Sequence, residues 1–427
     1  MSEFRGYAGR SLELLKSHNV NVGDSVRITS DLTYDGIVMP RYEGNSEERL
    51  VLKLKNGYNI GIEINEIVKL EKIQQQETQI DKTQDISPKK GLGKILLLST
   101  GGTIASKIDY RTGAVTPAVT PEEINASVPE LSKIANIVPK ILFSEYSENL
   151  QPEHWKKIAE ELDKLADSDY KGIIIAHGTD TMQYTASYLS FALSGFPIPI
   201  AIVGSQRSSD RPSSDAALNL IAAARFLTNT AQKGVYVVMH HDQSDEVIAC
   251  HIATRVRKNH TSKRNAFQTV GGSPAFLIVG EKIEKNIKES FFADNQYRPR
   301  INLDTRVALV KYHPGYDPKI LDAIIDSGVK AIIFEGTGLG HIGKTMYESV
   351  KKASKKGIFL GMTSQCIDGR VRMTVYESGR DLLDLGIVPL KDMIPETALV
   401  KAMWASADAG KIKEIMLTDI ASEFSRF

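Results

Sequence analysis

The sequence has very little cysteine and no long apolar segment. Only two of its 427 residues are cysteines, Cys250 and Cys366, and two cannot cross-link a chain of this length into a disulfide scaffold. No run reaches the ~18 apolar residues of a membrane-spanning helix. The N-terminus also lacks the apolar core of a signal peptide. These absences predict a cytoplasmic protein that folds around its own hydrophobic core.

The chain also has almost no net charge, and it lacks the motif of a nucleotide-binding loop. Lysine and arginine number 53 against 52 aspartates and glutamates, giving a net charge of +1. A free-standing nucleic-acid-binding protein usually carries a basic excess. Neither the GxGxxG spacing nor the Gly-Lys-Thr of a P-loop is present in its glycine-rich turn. With 42% hydrophobic and 25% charged residues, the composition is that of a globular protein, with two or three domains at roughly 150 residues each.

Changes in composition divide the chain into four segments. Residues 1–70 contain short alternating runs, two of them flanking Asn56-Gly57, a dipeptide typical of hairpin turns. About five such strands in this length predict a small β-barrel. Residues 71–93 are polar and without aromatics, which predicts a linker. We expect an N-terminal α/β domain at 94–300 and a smaller C-terminal α/β domain at 305–427.

Apolar strands alternate with amphipathic helices from Lys94 onward. In one helical segment Trp155, Ile158, Leu162 and Leu165 share a face at helical spacing. Uniformly apolar strands separated by such helices predict a parallel sheet covered on both faces. The active site of such a sheet is expected beyond the carboxyl ends of its strands.

Two motifs follow apolar strands, in the sequences KILLLSTGGTIAS and GIIIAHGTDTM. The first places the hydroxyls of Thr100 and Thr103 at the expected crevice, on a turn whose glycines permit close backbone approach to a ligand. The second places Thr179 and Asp180 at another strand end. Each motif alone has a simpler explanation, since the first can be a plain turn and Thr-Asp before a helix is commonly an N-cap. Their occurrence together, in order, favours a catalytic site.

Several histidines and one glycine-rich turn have alternative interpretations. His177 precedes the Gly-Thr-Asp and could be a general base, but we favour a structural role. His240, His241 and Asp242 could begin a metal site, yet no carboxylate or cysteine cluster completes one, and a solvated strand end is favoured. The turn EGTGLGH at residues 335–341 either borders an active site across a subunit interface or is a plain turn.

The pair TGGTIAS and HGTDTM resembles the motifs of the bacterial-type L-asparaginase family, whose members hydrolyse a side-chain amide with a threonine nucleophile. The resemblance covers residues from about 94 to the C-terminus. It implies catalytic roles for Thr103, Thr179, Asp180 and Lys258. The lysine is identified in RKNHTSKRNAFQT, where Lys258 lies nine residues before Phe267, as in the family pattern.

The resemblance also implies substrate-binding residues. The family has a segment before a helix that is similar to Ser147-Glu148-Asn149-Leu150 here, although the last two positions depart from the pattern. Tyr110 matches the tyrosine of the mobile loop that follows the first motif in relatives. The family pattern includes no metal ligand.

Amide hydrolysis explains why these residue types are needed. An amide is a poor electrophile, so a threonine hydroxyl must lose its proton to a neighbouring base when it attacks. A lysine can accept a proton once burial lowers its pKa, and an aspartate can position it. We expect Thr103 to attack the amide carbon while Thr179, Asp180 and Lys258 activate a hydroxyl or water and protonate the leaving ammonia. The spacing does not determine which threonine attacks first.

The whole chain, including the predicted barrel and the segment MIPETALVKAMW, is similar to the D-subunit family of archaeal-type glutamyl-tRNA(Gln) amidotransferases. That resemblance implies a glutaminase without a cofactor of its own. Its partner, the E subunit of such an amidotransferase, would use the released ammonia, with ATP and Mg²⁺, to amidate glutamate on Glu-tRNA(Gln). The resemblance also implies a homodimer within a heterotetramer. The alternatives are an independent L-asparaginase with an accessory N-terminal domain and a non-catalytic binding module.

Overall fold

The structure is a computed structural model. It describes residues 7–39, 48–54, 59–73, 89–101, 106–109, 114–117, 128–207, 214–230, 232–287, 296–408 and 410–425. Its α-helices are α1 (Gly9–Ser17), α2 (Pro152–Asp163), α3 (Met182–Ala192), α4 (Ala216–Asn229), α5 (Pro318–Asp326), α6 (Tyr347–Lys355), α7 (Glu377–Asp384), α8 (Pro395–Ala405) and α9 (Ile412–Leu417).

Within the ranges that the structure describes, the strands form three larger sheets and two hairpins. They are β1 (Ser25–Thr29), β2 (Thr33–Val38), β3 (Arg49–Leu54), β4 (Asn59–Glu63), β5 (Lys69–Lys72), β6 (Lys94–Ser99), β7 (Ser106–Asp109), β8 (Ala114–Pro117), β9 (Asn136–Ile141), β10 (Tyr170–Ala176), β11 (Ile200–Val203), β12 (Val235–His240), β13 (Val247–Ile252), β14 (Val256–Lys258), β15 (Phe267–Thr269), β16 (Phe276–Val279), β17 (Lys282–Lys285), β18 (Val307–Lys311), β19 (Ala331–Gly336), β20 (Phe359–Ser364) and β21 (Val388–Pro389).

The N-terminal sheet is antiparallel, with strand order β4-β3-β2-β1-β5. Alternate residues of β1 and β3 point inward with Leu15 of α1, and Val26, Ile28, Leu50 and Leu52 are all buried. β3 and β4 pair as a hairpin, and the Asn56-Gly57 turn predicted between them lies outside the described residues. The small β-barrel was predicted from about five short strands, and the structure has five; in the described part of the chain the edge strands β4 and β5 do not pair with each other.

The central sheet has eight strands in the order β17-β16-β13-β12-β11-β10-β6-β9. The five strands from β12 to β9 are parallel, as expected for uniformly apolar strands. β6 buries both of its faces: Leu96 and Leu98 pack with α2 and α3, whereas Ile95 and Leu97 pack with α4. The predicted parallel sheet is confirmed for these five strands, and at one edge β13, β16 and β17 add antiparallel strands.

The order of the parallel strands places a topological switch point at β6. The chain runs from β6 to β9 on one side and then to β10 on the other side of β6. Ligands of open α/β sheets bind in the crevice at the carboxyl ends of the strands where the order reverses. The two sequence motifs follow β6 and β10, so they meet at this crevice.

The C-terminal sheet is parallel, with strand order β18-β19-β20-β21. It joins the central sheet through α8, which packs on α3, and the rings of Phe191 and Trp404 stack with centroids 5.7 Å apart. The turn after β19 is closed by pairing of Thr337 with His341. In the part of the chain that the structure describes, no helix is long and apolar enough to cross a membrane.

Candidate active site

Three polar side chains meet at the carboxyl end of β10. The Nζ of Lys258 donates hydrogen bonds to Oγ1 of Thr179 at 2.8 Å and to Oδ1 of Asp180 at 2.6 Å. The lysine side chain is only 10% exposed, whereas that of Asp180 is 66% exposed. The ammonium is therefore held in one place by a hydroxyl and a carboxylate, next to open solvent.

The β14–β15 hairpin brings Lys258 to this position. Lys258 is the last residue of β14 and lies directly opposite Phe267, the first residue of β15. The nine-residue spacing that identified the lysine therefore corresponds to a cross-strand pair. Lys263, the other lysine in this segment, is exposed in the connecting loop. The buried Phe267 anchors the strand beside Lys258.

The 3₁₀ turn Ser147–Asn149 lies against the same site. The Oγ1 of Thr181 donates a hydrogen bond to the backbone oxygen of Ser147 at 2.6 Å. A Cβ on Gly178 would lie 2.8 Å from the Cβ of Ser147, so only glycine permits this approach. Ser147 is buried against the Gly-Thr-Asp turn, and Glu148 is exposed beside it. The site role of Thr181 was not predicted, although it belongs to the second motif.

The beginning of the first motif lies beside β10. The backbone N–H and the hydroxyl of Thr100 both donate to the carbonyl of Ala176, at 3.0 and 2.9 Å. The expected placement of the Thr100 hydroxyl at the crevice was therefore wrong, because the group is buried and bonded within the sheet. Gly101 has a φ of 124°, which favours glycine. Thr103 and Tyr110 lie outside the described residues.

A glycine that was not predicted as a site residue packs behind Thr179. A Cβ on Gly204, just after β11, would lie 2.8 Å from Cγ2 of Thr179 and 2.9 Å from the backbone oxygen of His177. The Nδ2 of Asn219 donates hydrogen bonds to the carbonyl oxygen of Gly204 at 3.0 Å and to the carboxylate of Asp215. That carboxylate also accepts hydrogen bonds from backbone N–H groups of the loop that follows Gly204. The glycine that begins the segment GSQRSSD could have suggested a close packing contact at this position, but nothing in the segment indicates that the contact is with Thr179.

His177 has the structural role that we favoured. Its ring is buried, with Nδ1 2.6 Å from the carbonyl of Gly178 and Nε2 2.9 Å from Oγ1 of Thr185. Burial lowers the pKa of His177 to about 4, partly offset by the bond to Gly178. The ring is therefore neutral at pH 7 and fixes the backbone of the Gly-Thr-Asp turn.

The interpretation of His240 as a solvated residue was wrong. His240 is fully buried, with Nδ1 2.7 Å from Oδ1 of Asn219, whereas His241 and Asp242 are partly or fully exposed. Burial lowers the pKa of His240. Among the described residues, no three histidine, cysteine or acidic side chains are grouped so that they could hold a metal ion.

Family models match three parts of the chain. The N-terminal asparaginase model matches residues 94–290, and the glutaminase/asparaginase C-terminal domain matches 306–416. The GatD N-terminal domain matches residues 20–73.

Individual relatives share the same arrangement. A protein of Sulfolobus acidocaldarius named as the D subunit of glutamyl-tRNA(Gln) amidotransferase is 46% identical over 430 residues, which cover 98% of this chain and 95% of the relative. The protein of the same name from Pyrococcus abyssi is 45% identical, with 97% of each chain covered. The thermostable L-asparaginase structure from Thermococcus kodakarensis superposes with a TM-score of 0.70 at 32% identity, covering 78% of this chain and all of the other.

Proposed function

We propose, because this chain belongs to the D-subunit family of glutamyl-tRNA(Gln) amidotransferases, that it is the glutaminase of its complex. The family carries an asparaginase-type amidohydrolase domain within a tRNA-dependent amidotransferase. The observation that supports a glutaminase most directly is the Lys258 ammonium, which bridges Thr179 and Asp180 at the carboxyl end of β10. These groups can move protons beside a hydroxyl nucleophile, as amide hydrolysis requires.

The reaction proceeds in two halves. In the first, the hydroxyl of Thr103 attacks the side-chain amide carbon of glutamine, and its proton passes by way of the Thr179, Asp180 and Lys258 set to the leaving nitrogen. Ammonia departs and leaves a glutamyl ester on the threonine. In the second, the same set takes a proton from water, which attacks the ester carbon; the bond to the Thr103 oxygen breaks, that oxygen receives the proton, and glutamate is released. Backbone N–H groups in the glycine-rich turn stabilise the oxyanion, an effect of about 3 kcal/mol per donor in known cases.

Ser147 and its neighbours form the substrate side of the site. We propose that the segment carrying Ser147 and Glu148, and Tyr110 from the loop after the first motif, hold the amino-acid part of glutamine. Ser147 is fixed against the Gly-Thr-Asp turn by the bond from Thr181, so a substrate bound there lies beside Thr179. Glu148 is exposed and available to pair with the α-ammonium group of the substrate.

The amidation step belongs to a partner chain. We propose that the E subunit of the amidotransferase takes the ammonia and uses ATP and Mg²⁺ to amidate Glu-tRNA(Gln) in the cytoplasm. We propose that this chain itself holds neither ATP nor Mg²⁺, which agrees with the lack of the Gly-Lys-Thr of a P-loop in its glycine-rich turn. We propose a homodimer of this chain within a heterotetramer, with the domain division 1–70, 71–93, 94–300 and 305–427. In that division the last two residues of β5 fall inside the linker.

Ammonia release from L-glutamine and L-asparagine tests the proposal. It is measured for the full chain alone and with the partner chain, Glu-tRNA(Gln), ATP and Mg²⁺. We expect glutamine turnover that rises with the complete mixture and is lost in Thr179→Ala. Thr228→Ala, a threonine on α4 that bonds only within its helix, is the matched control and retains activity.

Two outcomes contradict the proposal. Fast asparagine turnover by the chain alone, indifferent to the additions, would identify an independent asparaginase with an accessory N-terminal domain. Full glutamine turnover by Thr179→Ala would show that the Thr179, Asp180 and Lys258 set is not the catalytic machinery.

A further inference from the structure

The strand that carries Lys258 is bound to the C-terminal domain along the residues that precede the lysine. Thr254 is held by two hydrogen bonds, one from its hydroxyl and one to its carbonyl oxygen. Its Oγ1 donates to the carbonyl of Ala421 at 2.8 Å, and its own carbonyl accepts from Oγ1 of Thr397, also at 2.8 Å. Thr397 belongs to the first turn of α8, and Ala421 belongs to the C-terminal segment. All four of these groups are buried or nearly so. Strand β14, which carries Lys258 and is called the lysine strand below, therefore begins inside the contact between the two domains.

Arg255 makes the second attachment. Its Nη2 lies 2.9 Å from Oδ2 of Asp392, and the two side chains are only 6% and 9% exposed. The Asp392 carboxylate also accepts from the backbone N–H of Ser425 at 3.0 and 3.1 Å. Burial by itself would raise the pKa of Asp392, but the bonds from Ser425 and Arg255 lower it overall. Arg255 also donates to the carbonyl of Val270 at 3.1 Å, so the attachment includes the segment after β15.

Arg257 makes the third attachment, immediately before the lysine. Its Nε lies 3.0 Å from Oε1 of Glu396, in the first turn of α8. Successive side chains of a strand point to opposite faces, so this ion pair holds β14 from the side opposite Lys258. Glu396 is buried, and its Oε2 has no hydrogen-bond partner within the described parts of the chain.

A role in stability alone does not explain this arrangement. Burying charges costs several kcal/mol of desolvation, and apolar side chains of similar volume usually stabilise a fold equally well. Buried ion pairs do, however, hold two elements in one relative position, because their hydrogen bonds are directional. The element held here is β14, whose last residue is Lys258. The Nζ of Lys258 donates hydrogen bonds of 2.8 Å to Thr179 and 2.6 Å to Asp180.

We propose that Glu396 and Asp392 are positioning residues for amide hydrolysis. Through Arg257 and Arg255 they set the place of Lys258 relative to Thr179 and Asp180. The C-terminal domain thus determines whether the lysine of its own chain is aligned for proton transfer. This inference rests on the proposed function, since it assigns the two carboxylates to the same reaction.

Glu396→Gln is the test variant, because glutamine keeps the shape and one acceptor oxygen but loses the charge that orients Arg257. The assay is glutamine-dependent ammonia release by the full complex. We expect kcat to fall on the order of 10- to 100-fold, the range for a misplacement of about 1 Å, with KM nearly unchanged. Asp304→Asn is the matched control: it neutralises a carboxylate that pairs with Arg306 at 2.7 Å and Lys330 at 2.9 Å, away from the lysine strand. That variant should retain the wild-type kcat.

Two further measurements separate positioning from loss of folding. Arg257→Gln should reproduce the loss, and the double variant should be no slower than the slower single variant, because both remove one interaction. A diazoketone analogue of glutamine that alkylates the nucleophile should label Glu396→Gln more slowly, yet to the same final stoichiometry. Additive losses, or a lower final stoichiometry at reduced thermal stability, would overturn the proposal in favour of a structural role.

Different results would refute the positioning role and the proposed glutaminase function. If the wild-type complex releases no ammonia from glutamine, the proposed function fails. If the wild type is active and Glu396→Gln has the same kcat, the glutaminase stands and only the positioning role is refuted.

Discussion

Replacing Gly204 by alanine tests whether the position of Thr179 limits the reaction. The added Cβ would lie 2.6 Å from Cε of Met182, 2.8 Å from Cγ2 of Thr179 and 2.9 Å from the backbone oxygen of His177, whereas ordinary contacts begin at 3.4 Å. The methionine end can rotate away, but the backbone oxygen cannot. Thr179 must therefore retreat by about 0.6 Å, the difference between 3.4 and 2.8 Å, if the loop holds its place.

That displacement acts directly on the hydrogen bond between Thr179 and Lys258. The bond is 2.8 Å long, and a shift of this size in the position of Thr179 disturbs its length or its angle and so weakens it. We expect kcat for ammonia release from glutamine to fall on the order of 10- to 100-fold. Overpacking should also lower the free energy of unfolding by about 1–3 kcal/mol. Steady-state kinetics and urea denaturation measure the two effects.

A second glycine provides the control for the Gly204 experiment. A Cβ on Gly272 would have no atom within 4 Å, and its φ lies outside the left-handed region, so Gly272→Ala should be active and no less stable than the wild type. Folded Gly204→Ala protein with the wild-type kcat would refute the reasoning. It would mean that the alignment of Thr179 with Lys258 does not control the rate.

Three further predictions concern stability. Glu423 and Lys401 form a fully buried ion pair, so Glu423→Gln should lower the free energy of unfolding by about 3 kcal/mol in urea at pH 7, and a loss below about 1 kcal/mol would contradict this. Burial lowers the pKa of His177 to about 4 and of His251 to about 3, below the unfolded value of 6.5. The contribution of these neutral histidines to the free energy of unfolding is therefore complete above pH 6.5 and is lost as the pH falls towards these pKa values. At pH 5 the loss should be about 2 kcal/mol for each histidine, and denaturation midpoints that stay constant from pH 7 to 5 would refute this. Gly101→Ala should unfold at lower temperature and lose ammonia release, since its φ is 124° and its Cβ would lie 2.0 Å from a backbone oxygen; wild-type melting and activity would exclude that clash.

Local patterns predicted the elements that carry the site. In the apolar runs of β6 and β10, polar residues do not alternate with apolar ones, because helices cover both faces of these strands. The predicted helical face is present in α2, where Trp155, Ile158 and Leu162 are buried. Leu165 lies beyond the end of α2, partly buried against the same core.

The candidate lysine was identified through the family resemblance, by its position in the family's sequence pattern. Its spacing to Phe267 corresponds to the register of a hairpin, and register is a local property of the chain. Thr179 and Asp180 follow directly after a strand, so their place at the sheet edge is equally local. The grouping of these residues with Lys258 could be expected only from the family resemblance, because the lysine lies 79 residues from Thr179 along the chain.

Other features depended on contacts between distant segments. The solvated interpretation of His240 failed because Asn219, on α4, supplies a buried acceptor that no pattern around the histidine reveals. The antiparallel strands β13, β16 and β17 at one edge of the central sheet were not predicted, because composition does not encode strand direction.

The sequence by itself determined the succession of strands and helices along the chain, the two threonine motifs at strand ends and the family to which the chain belongs. These follow from periodicity, turn chemistry and short motifs, which are local in the chain. Only the tertiary structure decided how the lysine strand is held. Arg255 and Asp392 are separated by 137 residues, and nothing in the neighbourhood of either one indicates the other. Burial brings them together because an arginine that loses its water must find a carboxylate, and folding alone determines which carboxylate is near.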